Sequence, residues 1–139
     1  MNDRYLYRAK WKNWRELPKE MWWVEGYYAY FKQNDNHCIY YETDGFTLVC
    51  DIDISTLCAC TGLKDKNGNL IWENDILVGY LDDMYPENAT YAQVIWDKNG
   101  FYTKEQYSDD ISLMDEFDEK YFEVCGNIFD NPELLEVGE

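Results

Sequence analysis

Histidine occurs once in these 139 residues and proline three times, and 12 basic residues stand against 28 acidic ones. Each shortage excludes something. A structural zinc site usually needs four nitrogen or sulfur ligands. The five cysteines, Cys38, Cys50, Cys58, Cys60 and Cys125, include no Cys-x-x-Cys pair, and the single His37 adds only one nitrogen, so no metal is expected. Cys58 and Cys60, two apart, would need distant partners. An odd number of cysteines, with no apolar centre in the N-terminal MNDRYLYRAKWKNW, points to reduced thiols in a cytoplasmic protein. No apolar run is long enough for a transmembrane helix, so no membrane partner is expected. There is no Gly-x-Ser-x-Gly, no phosphate-binding glycine loop and no HExxH. No catalytic residue, no cofactor and no enzyme activity are therefore expected.

The scarcity of lysine and arginine is local. Residues 1–70 hold 10 acidic and nine basic residues, whereas 71–139 hold 18 and three, out of a net charge of −16. Phosphate backbones are bound through basic side chains, so the second half should repel nucleic acid. A solvated, soluble surface is the plain reading; contact with a basic partner is the sharper one.

What the chain has in abundance is aromatic: 18%, with 13 Tyr and six Trp. Aromatics fit pleated sheets, and the patterning agrees. Tyr5, Tyr7, Ala9 and Trp11 alternate with Leu6, Arg8, Lys10 and Lys12, a strand with one basic face. WRELPKEM reads as a turn or short helix broken by Pro18. In MWWVEGYYAYF (21–31), Gly26 suggests a bulge or a close backbone approach. HCIYYE and FTLVCDI flank Thr43-Asp44-Gly45 as a hairpin, and Asp53 suits the cap of a helical turn over Ile54–Cys58. DKNG occurs twice, at 65–68 and 97–100, each copy expected to be a type I′ hairpin turn with positive φ at both central residues. A strand is expected from Leu70 through Val78, and YAQVIW and FYTKE give two more. A helix capped by Ser108 or Asp109 is expected through DISLMDEFDEKYF, on the spacing of Ile111, Met114 and Phe117. YFEVCGNIF reads as a strand, and Pro132 opens a short closing helix.

The stretch TGLKDKNGNLIWENDIL (61–77) invites a calcium reading, because Asp65, Asn67 and Asn69 alternate. Gly68 falls fourth there, not sixth as an EF-hand loop requires, so the hairpin reading is preferred. Asp115, Glu116, Asp118 and Glu119 are more simply a solvated helix face than a cation site. His37 and Cys38 are strand neighbours and point to opposite faces, so they do not make a thiol–imidazole pair.

Three segments together raise a resemblance. YRAKWKNW…WWVEGYY (7–28), DIDISTLCACTGLKDKNGNLIWENDIL (51–77) and FEVCGNIFDNPELL (122–135) resemble, in order, the marks of the YopX family, small proteins of bacteriophages and prophages. The residues that carry the match are Thr61, Gly62, Asp65, Asn67, Gly68, Asp75, Gly126, Asn127 and Pro132, which make sense as structural positions. Asn74 stands where the family usually has glycine, and asparagine is well suited to a left-handed conformation. Ile54 replaces a usual proline, and Ala59 and Cys60 replace a polar–aromatic pair. The resemblance implies a mainly β (α+β) protein with short helices, an SH3-like β-barrel core with N- and C-terminal additions. It implies a single domain over 1–139, with room for a smaller lobe at about 1–50 packed on a barrel at about 51–139. It implies a bacterial host cell and no particular activity.

Three modes of action follow as expectations. The first is a protein-interaction module whose anchors are Trp22, Trp23, Tyr27, Tyr28 and Tyr30, since Trp and Tyr dominate binding hot spots. The second is nucleic-acid binding through a basic patch of Arg4, Arg8, Lys10, Lys12 and Arg15, with Lys19 near them, disfavoured by the net charge. The third is an acidic decoy that mimics DNA. A homo-oligomer is also expected, with the basic N-terminal segment facing the acidic stretch Asp109–Glu123 and an affinity that weakens in salt.

Overall fold

The computed structural model describes residues 5–80, 89–115 and 120–136. The chain divides into two compact units, Met1–Cys60 and Thr61–Glu139. The division falls later than residue 50, and inside a strand rather than at a linker.

The first unit contains β1 (Tyr7–Lys10), β2 (Trp23–Phe31), β3 (Asn36–Thr43), β4 (Phe46–Asp51) and the start of β5 (Cys58–Lys64), in the order β4-β3-β2-β1-β5. Every described pairing among them is antiparallel. Alternation puts Ala9, Val24, Ile39 and Cys50 on one face, where Ile52 joins them and Tyr7, Trp11, Tyr28, Tyr41 and Leu57 pack around. Gly26 allows β2 and β3 to close up, because a Cβ there would run into the Tyr40 carbonyl oxygen. Pro18 separates two 3-10 turns, Trp14–Glu16 and Lys19–Met21. The end of β4 comes back to the end of β1: Trp11 bridges Ile52, Lys12 N donates to Asp51 O at 3.0 Å and Asp53 N to Lys10 O at 2.9 Å. Among the described residues the sheet meets itself only there, and no complete barrel forms.

In the second unit the later part of β5 neighbours β6 (Leu70–Trp72). A five-stranded antiparallel sheet follows, ordered β10-β9-β8-β7-β11, from β7 (Asp75–Tyr80), β8 (Ala89–Asp97), β9 (Gly100–Glu105), β10 (Ile111–Leu113) and β11 (Phe122–Asn127). Ile71, Leu77, Ala92, Val94, Met114 and Phe122 form its core. The protein is thus mainly β, with two antiparallel sheets and short helical turns.

Three expectations are corrected. The run from Leu70 to Val78 is not one strand. Asn74, at φ +70°, turns the chain between β6 and β7, and the Asp75 carboxylate accepts from Trp72 N at 2.8 Å to hold that turn. The helix expected after Ser108 is replaced at Ile111–Leu113 by an edge strand paired with Lys104, Thr103 and Tyr102. The Ser108 hydroxyl accepts from Asp110 N, closing a local turn instead of starting a helix. Helix is described only at Lys120 and Tyr121, and Glu116–Glu119 lie outside the described residues.

The two DKNG turns are not type I′ and are not alike. In the first, Gly68 is left-handed at φ +85° and Asn67 is not. In the second, Lys98 takes φ +53° and Asn99 N donates to Asp97 O at 2.6 Å. The type I′ pattern occurs at Asp44-Gly45, with φ of +50° and +81°. The closing Pro132–Leu135 segment is a 3-10 turn with proline at its start.

Candidate functional site

The residues that carried the family resemblance converge in the second unit, and their chemistry is bracing. Asp65 is 4% exposed. Its Oδ1 accepts from Asn67 N at 2.9 Å and Asn69 N at 2.8 Å, and its Oδ2 from Val124 N at 2.9 Å. One carboxylate therefore shapes the turn and ties it to β11. Burial works to raise the Asp65 pKa, but the N–H groups of Val124, Asn69 and Asn67 together outweigh it and hold the carboxyl below its ordinary value. Thr61 Oγ1 donates to Ile71 O at 2.8 Å, and Gly62, at φ +83°, follows it. Asp75 is 1% exposed and lies opposite Asn127 on β11. The Asn127 side-chain oxygen accepts from Phe129 N at 3.0 Å and Asp130 N at 2.9 Å. Gly126 lies against Asn131, which leads into Pro132. These are buried or turn-holding positions, aimed at main chain. No group of three or more metal-ligating side chains occurs among the described residues.

The expected basic patch is reorganised by the fold. Arg4 lies outside the described residues. Lys10 does not present its charge on an open face, because it is 2% exposed. Its Nζ lies 3.8 Å from the ring centre of Trp14, 4.4 Å from that of Trp22 and 5.5 Å from that of Trp23. The first two rings come from the 3-10 turns after β1. They meet edge to face at 4.8 Å, with Trp14 Nε1 donating to Asp53 Oδ2 and Trp22 Nε1 to Leu17 O. Arg8 lies 4.9 Å from Trp23 and Arg15 4.3 Å from Trp14, again over ring faces. Lys19 is 5.9 Å from Trp22, and Lys12 is exposed. Cations and indoles that looked like a nucleic-acid groove in sequence are largely engaged with one another.

The expected anchors do not make one patch either. Trp22 and Trp23 are half-buried against those cations. Tyr27 and Tyr30 are exposed, but on opposite faces of β2. Tyr28 is half-buried, and its hydroxyl meets His37 Nδ1 at 2.6 Å; His37 also stacks on Tyr30 at 4.7 Å. Burial first, then Tyr7 and Cys38, raise the Tyr28 pKa.

The apolar surface that stands out was not singled out from sequence. On β4, Phe46, Leu48 and Val49 are 69%, 44% and 52% exposed. β4 ends its sheet, so one side of the strand has no neighbouring strand. Two depressions lie near it. One, of about 250 Å³, is lined by Leu6, Glu25, Tyr27, Tyr40, Glu42 and Thr47. The other, of about 340 Å³, is lined by Trp11, Lys12, Asn13, Val49, Cys50 and Asp51. The strand itself was legible; its exposure depends on strand order, which local sequence does not encode.

The structure is thus a mainly β fold with buried carboxylates that brace turns and an exposed apolar edge strand. The family follows from the comparisons. The YopX protein family model matches residues 7–136, and the chain belongs to that family. Protein EF1440 from Enterococcus faecalis, known from a crystal structure, is similar at 22% identity and a TM-score of 0.58. The match covers 94% of this chain and 98% of that one, and it supports the fold alone. No curated protein matched the sequence. Among the described residues no helix is long and apolar enough to cross a membrane.

Proposed function

We propose that the protein is an accessory interaction module, encoded by a bacteriophage or prophage, that acts in the bacterial cytoplasm by binding protein through its first unit and performs no catalysis. The observation that carries this reading is the β4 edge. Folded proteins usually guard an edge strand with charge, proline or a bulge. From Phe46 to Cys50 there is neither charge nor proline, and the pairing with β3 runs without a register shift. The origin rests on family membership. The SH3-like core likewise rests on family membership. The test is affinity capture from phage-infected cells with the wild type and with Leu48→Asp. Partners retained by the wild type and lost by the variant support the reading, and identical capture by both rejects it.

A second reading has its own observation. The first unit holds nine acidic and seven basic residues, and the second holds 19 and five, a net of −14. That unit suits a basic protein partner, in the manner of a DNA mimic. Competition between the protein and duplex DNA for any captured host protein would support it. Nucleic-acid binding ranks below both, because the cations it needs lie on indole rings; tight, salt-sensitive retention of DNA or RNA in a filter-binding titration would restore it.

A further inference from the structure

The hairpin geometry fixes which main-chain groups of β4 point away from its sheet. Asp44-Gly45 is a two-residue type I′ turn, so Thr43 and Phe46 form a hydrogen-bonded pair. Alternation then directs the N–H and C=O of Phe46, Leu48 and Cys50 towards β3, and those of Thr47, Val49 and Asp51 away from it. The contacts of Asp51 and Ile52 agree: Asp51 O accepts from Lys12 N on the outer side, while Ile52 N donates to His37 O on the inner side. Thr47 and Val49 have outward groups with no partner among the described residues.

We infer that β4 pairs antiparallel with β4 of a second copy of this chain, about a two-fold axis at Leu48. This rests on the reading of the β4 edge as the contact surface and names its occupant. The register is self-consistent. Placing Leu48 opposite Leu48 of the second copy puts Thr47 opposite the other Val49 and Val49 opposite the other Thr47. Those are the residues with outward groups, so both ladders close on both sides of the axis, as an isologous interface requires.

The side chains fit the same register. Phe46 of the second copy comes opposite Cys50, in a pair of the closely spaced, non-hydrogen-bonded kind. Cys50, Val49 and Trp11 line the depression of about 340 Å³ at that end of the strand, where an exposed phenyl ring finds apolar walls. The first unit has a net charge of only −2, so it is the unit that two copies of a −16 protein can bring together at least electrostatic cost.

The test combines sedimentation with cross-linking on the full chain. The wild type should show a reversible monomer–dimer equilibrium over a concentration series, and Leu48→Asp, which sets two carboxylates face to face on the axis, should be monomeric. In a Cys125→Ser background, Leu48→Cys should give a disulfide dimer on mild oxidation, since residues in such a pair are about 4.5 Å apart at Cα. Val49→Cys should not, because its own copy lies diagonally, about 7–8 Å away. A wild type that is monomeric at every concentration overturns the inference. So does cross-linking as fast at Val49→Cys as at Leu48→Cys. Loss of foreign-protein capture by Leu48→Asp in a protein that is always monomeric would retain the contact surface and reject only the second copy.

Discussion

At the scale of single residues, two buried charges hold the folded state in different ways. The Asp65 carboxylate is depressed in pKa, so the stabilisation it gives is fully present above the ordinary aspartate value, about 3.9, and is lost as pH falls through the lower folded value. Asp65→Asn keeps one acceptor oxygen and loses the charge-assisted bonds. It should destabilise by about 1–3 kcal/mol at pH 7. The gap to wild type should narrow below about pH 4, where only the wild type loses a charge. Chemical denaturation at pH 7 and pH 3 measures both, and a gap that stays constant would show that the charge contributes nothing. Lys10 holds its place through indole faces. Lys10→Met keeps most of the stem packing and removes the cation, so a loss of about 1–2 kcal/mol is expected. Denaturation followed by Trp fluorescence reads it, and an unchanged midpoint would mean that the ring contacts carry no net energy.

At the scale of elements, two glycines are held by different causes and predict different failures. A Cβ on Gly68 would meet nothing within 4 Å, so only its φ of +85° resists substitution. Gly68→Val should cost about 1–3 kcal/mol. Lys66→Ala, on the same exposed turn, should cost much less, and equal melting temperatures for the two variants would refute the turn. Gly26→Ala has no dihedral penalty but drives a methyl into the Tyr40 carbonyl. It should exceed the usual overpacking loss of about 1–3 kcal/mol, with melting temperature as the check.

The same contrast shows what the sequence made legible. Period-two runs located most strands, and Asp44-Gly45 and Asp53 declared their roles through local chemistry. The turn at Asn74 was missed, although asparagine suits its φ, because the apolar residues on either side read as one run. Ile111 to Leu113 misled for a comparable reason. Three apolar residues at helical spacing outweighed a short strand whose evidence is its partner, β9. Lys10 looked exposed because alternation placed it opposite the core. The tryptophans that cover it arrive from later turns, a tertiary fact with no local pattern.

At the scale of the whole molecule, charge is divided as unevenly as structure. Charge pairing between the basic N-terminal segment and the acidic stretch, as expected from sequence, would make an assembly weaken in salt. Self-pairing through β4 implies the reverse. The strand is uncharged from Phe46 to Cys50, while two −16 molecules repel at longer range. Raising salt from 0.1 to 1 M shortens the screening length from about 10 Å to about 3 Å and should tighten the dimer. Light scattering at fixed protein concentration decides the sign, and dissociation in high salt would favour the charge pairing. The same imbalance bears on how the protein sits on a positively charged support. Adsorption will be dominated by the second unit, with its net of −14, rather than by the nearly neutral first. An immobilised layer on an electrode or an anion-exchange bead should therefore be held chiefly through one unit, without any engineered tag.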